Sequence, residues 1–176
     1  MTGPDRRLAT EFEDAQDSPG LLLWQVTNRW QAAQRAALKP LGLTHVQFVL
    51  LASLTWLDVE GPVTQKQLAD HTAADAMMTS QVLRALEDRG LVLRKPHPDD
   101  KRARALTVTD EGRALANRAV AMVEACDRAF FSAVGGDVGR LSSLLRLLAS
   151  PSADSAPTGT TRPRPLIAAG PGGTEP

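Results

Sequence analysis

The stretch from Asp75 to Leu106 constrains the fold most, because its periodicity changes from helical to extended at one glycine. Before Gly90, apolar and small residues recur at intervals of three and four, which predicts a helix with one buried stripe. Gly90 stands where a helix end favours a left-handed residue. Beyond it, two short apolar runs flank a charged segment, which predicts a β-hairpin. The stripe consists of Thr79, Val82, Leu83 and Leu86, and the hairpin runs are residues 91–93 and 105–108.

The opposite face of this helix carries side chains that suit DNA reading. They recur at helical intervals, so they share one side of the helix. Arginine can donate to guanine O6 and N7, and glutamine can pair with adenine N6 and N7, in the major groove. An ordinary solvated helix face is the alternative interpretation. The set consists of Met77, Ser80, Gln81 and Arg84.

The preceding residues predict a helix-turn-helix. Thr44 and Thr64 each stand three residues before a glutamine, the capping-box pattern that begins a helix. Residues 61–62 are Gly-Pro, which ends the helix that begins at Thr44 and leaves room for a very short strand. Residues 72–74 then form a turn before Asp75, whose carboxylate suits a helix N-cap. Short helices joined by a three-residue turn are typical of helix-turn-helix proteins.

Longer apolar helices are predicted on both sides of this unit. Residues 18–19 are Ser-Pro, a good helix start, and the Pro and Gly within residues 40–42 close that helix. Thr109 begins another helix, and glycines 135–136 separate it from a last one. The apolar stripes are wider than a small winged helix needs, so we expect them to form a dimer interface.

The sequence therefore predicts a mainly α fold with a small β-hairpin: a winged helix-turn-helix domain joined to a helical dimerisation region. Residues 18–42 and 109–149 are assigned to dimerisation, and residues 44–108 to the winged helix. The polar N-terminus, residues 1–17, is expected to be flexible. The tail, residues 150–176, holds six prolines, four glycines and almost no large apolar groups, so we expect disorder.

Basic charge is concentrated in one part of the chain. The whole sequence carries 20 basic and 20 acidic residues, for a formal net charge of zero. Residues 84–104 carry seven Lys/Arg and four Asp/Glu, a net charge of +3 that leaves −3 elsewhere. A local basic patch on a slightly acidic body suits a protein that touches phosphate with one surface.

The chain resembles the MarR family of dimeric transcriptional regulators over about residues 19–148. The resemblance rests on the run LTHVQFVLLASL, then TQKQLAD, then the helix after Asp75, then GLVLRKPHPDDKRARALTVTDEGRAL. It implies a homodimer on a pseudo-palindromic operator in double-stranded DNA, most often a repressor relieved by a small-molecule effector. In the motif Asp100-x-Arg102, it implies that Arg102 enters the minor groove while Asp100 fixes the hairpin.

Two further groups complete the predicted DNA surface. The hairpin carries cations that a narrow A·T-rich groove attracts, although a charged tip that only keeps the hairpin soluble is the alternative. A helix N-terminus upstream offers donors to phosphate, which position a protein without specifying sequence. Residues 94–95 are candidates for neutralising the loop aspartates instead. The hairpin set is Asp100, Lys101, Arg102 and Arg104, and the phosphate set is Thr64, Gln65 and Lys66.

Aromatic residues are expected where the dimerisation helices meet the winged part. In the family that the chain resembles, this junction holds the effector pocket, usually for a small aromatic or phenolic anion. An aromatic wall with a histidine suits such a ligand, and ordinary core packing is the alternative for each residue. The set consists of Trp24, Trp30, His45, Phe48 and Trp56.

Little in the sequence suits catalysis or metal binding. The three histidines lack ligand spacing and no nucleophile motif is present, so we predict no enzyme, metal or cofactor. Cys126 is the single cysteine and lies in an apolar stripe, so a small core residue is favoured over a redox sensor. No signal-like or membrane-length apolar run occurs, which favours a cytoplasmic protein. A winged helix used for protein association is the rival function.

Overall fold

The computed structural model describes residues 10–58, 61–97 and 104–150. Over these ranges the chain is mainly helical with a small antiparallel sheet, which confirms the predicted fold class. The main elements are α1 (Pro19–Leu38), α2 (His45–Leu57), β1 (Val63–Thr64), α3 (Gln65–Thr72), α4 (Ala76–Asp88), β2 (Val92–Pro96), β3 (Arg104–Val108), α5 (Asp110–Phe131) and α6 (Val138–Ala149). Shorter 3-10 helices span Ala15–Asp17, Lys39–Leu41 and Ser132–Asp137.

Side-chain caps begin the helices where the sequence predicts them. The Ser18 hydroxyl accepts a hydrogen bond from Leu21 N at 3.3 Å. Thr44 and Thr64 both form complete capping boxes. The Asp75 carboxylate accepts bonds from two backbone N–H groups at the start of α4, each at 2.9 Å. Such caps are each worth about 1 kcal/mol, so they help fix where the helices start.

The sheet is antiparallel, with the strand order β1-β3-β2. Val92 pairs with Val108 at its base, and Pro96 pairs with Arg104 at its outer end. The strand β2 continues past Leu93, where the predicted hairpin run ends. Arg94 and Lys95 pair with Leu106 and Ala105, and Pro96 pairs with Arg104, one residue before the predicted start of β3. The hairpin is therefore longer than the sequence pattern indicates.

The core is organised around α2, which packs against α1, α3, α4, α5 and β3. Three of its four leucines are completely buried, as are the leucines on the inner side of α4. One helix therefore supports both the winged part and the long helix α5. The buried leucines of α2 and α4 are Leu50, Leu51, Leu54, Leu83 and Leu86.

The helices α1 and α6 expose apolar side chains. Trp24 is 67% exposed on α1, and Leu147 and Leu148 are 73% and 77% exposed on α6. Large apolar side chains grouped in exposed positions on a helix usually mark a protein interaction site. The chain bends between α5 and α6 at Gly135, whose φ of 55° and ψ of −128° interrupt the helix as the glycine pair predicts.

Among the described residues, no single helix is long and apolar enough to cross a membrane. Within the same ranges, one pair, Pro19–Leu41 and His45–Leu57, reaches that length and composition together, and the two are bent by 75°.

Candidate nucleic-acid interface

The helix α4 has one buried side and one exposed side. Thr79, Leu83 and Leu86 are completely buried. The Thr79 hydroxyl donates to the backbone oxygen of Asp75 at 2.8 Å, so this buried polar group is satisfied. On the other side, Met77 is 72% exposed. The predicted buried stripe therefore holds α4 on the core and turns its other side outward.

The predicted reading residues lie on this exposed side. Gln81 and Arg84 are exposed, and Ser80 is partly buried. Arg84 Nη2 donates to Ser80 Oγ, one turn earlier, at 3.2 Å. The two side chains thus present a joined donor and acceptor surface, although their contact with DNA stays a prediction.

A tight turn sets the position of α3 against α4. Ala73 adopts the left-handed conformation with φ 50°, and Ala74 N donates to Ala69 O at 3.0 Å. Gln65 Nε2 reaches across the turn to Ala76 O at 3.4 Å. The N-terminal ends of both helices are therefore linked by a side chain that the sequence assigns to phosphate contact.

The other two residues of the phosphate set already have partners. The Thr64 hydroxyl accepts from Gln67 N at 3.2 Å and donates to Gln67 Oε1 at 2.8 Å, so it serves the capping box. Lys66 Nζ lies 2.6 Å from Asp70 Oδ2, and both side chains are more than half exposed. Exposed pairs of this type contribute less than about 1 kcal/mol, so a phosphate can replace Asp70 at little cost.

The hairpin is described only at its two strands. Arg104 is exposed at the start of β3, opposite Pro96. The remaining residues of the hairpin set, Asp100, Lys101 and Arg102, lie outside the described residues.

Arg94 connects the hairpin to α4. Its Nε lies 3.1 Å from Glu87 Oε2, and its Nη2 donates to Ser80 O at 3.4 Å. The Nε–H is not aligned for a hydrogen bond, so the contact with Glu87 is an ion pair. Sequence reasoning considered the loop aspartates as partners for Arg94. In the described residues, its carboxylate partner is Glu87 on α4.

A second cluster lies where α1, α2 and α5 meet. Trp30 Nε1 and Gln34 Nε2 both donate to Asp127 Oδ1, at 2.7 and 2.6 Å. The Trp30 ring packs edge to face against His45, with 4.9 Å between ring centroids. Gln34 is completely buried, whereas the other three residues are partly exposed. We call Trp30, Gln34, His45 and Asp127 the junction cluster.

The structure brings together only part of the predicted aromatic set. Trp30 and His45 are in contact, and Phe48 is buried in the hydrophobic core. Trp24 and Trp56 are 67% and 44% exposed, and neither makes a ring contact within the described ranges. Core packing therefore accounts for Phe48.

Sequence reasoning missed Gln34 and Asp127. Gln34 follows Trp30 by four residues in α1, and Asp127 follows Val123 by four residues in α5. Each is a polar residue at the spacing of an apolar stripe. That mismatch is the signal that could have found them, because a buried polar group needs a partner.

The environment of His45 makes a pH-dependent stability difference testable. Burial lowers its pKa from 6.5; Asp127 opposes this effect and Arg35 adds to it. Below about pH 6.5 the unfolded chain therefore binds a proton that the folded protein resists, so stability falls as pH decreases toward the folded pKa. We expect the free energy of unfolding, measured by urea denaturation, to decrease less between pH 7.5 and pH 5.5 in His45→Gln than in the parent protein. An equal loss in both would contradict this account.

Cys126 is partly buried, and burial together with the Asp127 carboxylate raises the pKa of its thiol. A thiol that stays protonated is a poor nucleophile, which favours packing over redox sensing. Within the described ranges, no group of three or more His, Cys, Asp or Glu residues is arranged to hold a metal ion.

Comparison with known sequences gives a consistent assignment. The profile of the MarR family matches residues 43–103. The uncharacterized HTH-type transcriptional regulator YdcH of Bacillus subtilis is 42% identical over 140 residues, 79% of this chain and 95% of that protein. The HTH-type transcriptional repressor Rv2887 of Mycobacterium tuberculosis is 40% identical over 115 residues, 64% of this chain and 80% of that protein.

Comparison with solved structures supports the same family assignment. CouR from Rhodococcus jostii RHA1, bound to p-coumaroyl-CoA, superposes with a TM-score of 0.70 at 28% identity, covering 80% of this chain and 98% of CouR. A mutant MarR from E. coli complexed with operator DNA gives 0.67 at 25% identity, covering 74% of this chain and 93% of that one. The chain therefore belongs to the MarR family of winged helix-turn-helix transcriptional regulators.

Proposed function

We propose that two copies of this chain bind a pseudo-palindromic operator and repress transcription by occluding polymerase. The two α4 helices enter successive major grooves about one DNA turn (~34 Å) apart. The observation that carries the proposal is the exposed polar side of α4, held in place by the buried Thr79, Leu83 and Leu86 and the partly buried Val82 on its opposite side. Its proposed base-reading residues are Met77, Ser80, Gln81 and Arg84.

The exposed apolar faces of α1 and α6 support the homodimer. A monomer would leave Trp24, Leu147 and Leu148 largely in water. Covering such faces with a second copy is favourable by about 25 cal/mol per Å² of apolar surface. Rv2887, a repressor, and the MarR complex with operator DNA support repression through duplex binding rather than a role in protein association alone.

Contacts from the hairpin and from the start of α3 are proposed to fix the position of α4 along the DNA. We assign Arg102 to the minor groove and Asp100 to hairpin support, and Lys101 and Arg104 to the adjoining backbone. Phosphate contacts from the start of α3 position the dimer without reading bases. These come from Gln65 and Lys66, and from Thr64 if a phosphate replaces Gln67 Oε1 as the acceptor of its N–H or hydroxyl group.

A small aromatic effector bound near the junction cluster would relieve repression. The ligand of CouR, p-coumaroyl-CoA, supports an aromatic effector class. Arg89 Nη1 donates to Gly42 O at 2.9 Å, which links the end of α4 to the turn between α1 and α2. A shift of α1 at the junction can therefore change the spacing of the α4 helices. A coupling of about 1–3 kcal/mol is enough for regulation.

Replacing Arg84 with alanine tests the reading side of α4. We expect a loss of about 1–3 kcal/mol in operator binding and relaxed specificity at one symmetric pair of positions. Fluorescence anisotropy at fixed salt, on a genomic fragment that the protein retains and on scrambled DNA, measures both. Arg118→Ala, an exposed site on α5, removes the same charge and should bind as the parent does.

Unchanged discrimination in Arg84→Ala would exclude Arg84 from base reading. Sedimentation of the free protein tests the dimer separately, because a monomer at the concentrations that saturate DNA would contradict the proposed geometry.

A further inference from the structure

The junction cluster contains a buried acceptor that the chain does not satisfy. Gln34 is completely buried, and its Oε1 accepts no hydrogen bond from any residue that the structure describes. The amide orientation is fixed, because the group facing Asp127 Oδ1 at 2.6 Å must be the donor Nε2. Buried acceptors without a partner are uncommon and unfavourable. A donor from outside the chain can satisfy this oxygen when the side chains that cover it move aside.

Asp127 adds a second acceptor beside it. Its Oδ1 receives both donors, Trp30 Nε1 and Gln34 Nε2. Its Oδ2 accepts no hydrogen bond within the described ranges. Trp30, His45 and Asp127 are partly exposed, so solvent reaches this side of the cluster while Gln34 stays covered. The oxygens of the cluster that the described residues leave free, Gln34 Oε1 and Asp127 Oδ2, are acceptors, and the second belongs to a carboxylate. The neutral His45 ring adds one N–H donor and one acceptor nitrogen.

We propose that the junction cluster binds a small aromatic ligand that carries a hydrogen-bond donor and no negative charge. The donor is directed at the partly exposed Asp127 carboxylate, and the ring packs on Trp30 and His45. A side-chain shift that uncovers Gln34 Oε1 would let the same ligand satisfy this buried acceptor as well. This inference rests on the proposed effector control and narrows the effector class. It differs from the phenolic anion that the family resemblance implies, because an anion would be repelled by Asp127 at short range.

The surrounding charges agree with this assignment. His45 is neutral at neutral pH, because burial lowers its pKa, so it supplies no positive charge to an anion. Arg35 is close enough to affect His45, but its side chain is exposed and its charge is screened by water and salt. The fixed charge in direct contact with Trp30 and Gln34 is the Asp127 carboxylate.

Three probes of one shape test the class: phenylpropionamide, phenylpropylamine and phenylpropionate. The full chain is labelled with fluorotryptophan, and its fluorine NMR signal from Trp30 is assigned with Trp30→Phe. We expect the neutral amide and the cationic amine to move the Trp30 signal at concentrations at least about tenfold below the carboxylate, which corresponds to ~1.4 kcal/mol.

Asp127→Asn keeps the size of the side chain and removes the charge, so the preference for the amide over the carboxylate should disappear. Glu124→Gln, an exposed carboxylate on the same helix, should retain the preference. If Asp127→Asn does not fold, the ranking of the three probes on the parent protein still decides the question.

Each failure has a distinct meaning. Equal or tighter binding of phenylpropionate to the parent protein would overturn the donor class and leave effector control standing. A Trp30 signal unmoved by all three probes, in protein that still binds operator DNA, would overturn the junction as a ligand site. Amide binding that leaves operator affinity unchanged would support the ligand class and contradict effector control.

Discussion

Gly112→Ala is expected to destabilise the protein by about 3 kcal/mol, the largest effect of a single methyl group that we predict. Gly112 lies in the first turn of α5, and an added Cβ would stand 2.1 Å from Leu91 O and 3.0 Å from Val108 Cγ1. The Leu91 carbonyl cannot move freely, because it accepts bonds from Thr109 N at 3.1 Å and Thr109 Oγ1 at 3.2 Å. The substitution must therefore break these bonds or push α5 away from the hairpin.

Thermal and urea denaturation measure this effect, and the melting temperature should fall by roughly 6–12 °C for a chain of this size. Gly20→Ala is the matched control, since Gly20 also lies in the first turn of a helix and its added Cβ would meet only Ser18 Oγ at 3.9 Å. We expect that control to be neutral or slightly stabilising. A Gly112→Ala protein as stable as Gly20→Ala would show that α5 does not pack this closely on the hairpin.

Arg102→Ala is expected to weaken operator binding by about 1–3 kcal/mol, roughly 5- to 150-fold, with little change in stability. A guanidinium in a narrow minor groove gains from the negative potential there, and alanine loses that gain. The described strands on either side pair in a regular register from Val92–Val108 to Pro96–Arg104, and we expect this pairing to persist in the variant. The dependence of log K on log salt should also become shallower, because the dimer then carries two fewer cations at the DNA surface.

A salt series of binding titrations measures both quantities, and Arg118→Ala controls for the change in net charge. If Arg102→Ala binds with parental affinity and salt slope, the hairpin takes no part in DNA recognition. If its melting temperature also falls markedly, weaker binding would reflect structural damage rather than a lost contact.

Local chemistry made much of the fold predictable. The boxes at Thr44 and Thr64, the cap at Asp75 and the break at Gly135 depend on neighbours a few residues away, so a single sequence displays them. The buried side of α4 could be predicted equally well, because the spacing of its residues follows from the helix period.

Contacts between residues that are far apart in sequence could not be predicted in this way. Asp127 bonds to Trp30 and Gln34 across more than 90 positions, and no local pattern pairs them. Likewise, Arg94 pairs with Glu87 because the path of β2 along α4 brings this carboxylate near, whereas the loop aspartates lie outside the described residues. Such pairings arise from tertiary packing.

Hydroxyl-radical footprinting on a native genomic fragment retained by the purified protein tests the central claim most directly. Paired α4 helices predict two protected regions related by twofold symmetry, with centres about 10–10.5 base pairs apart, and flanking minor-groove protection that Arg102→Ala removes. A single asymmetric protected block, or a symmetric footprint that Arg84→Ala and Arg102→Ala both leave intact, would contradict the account.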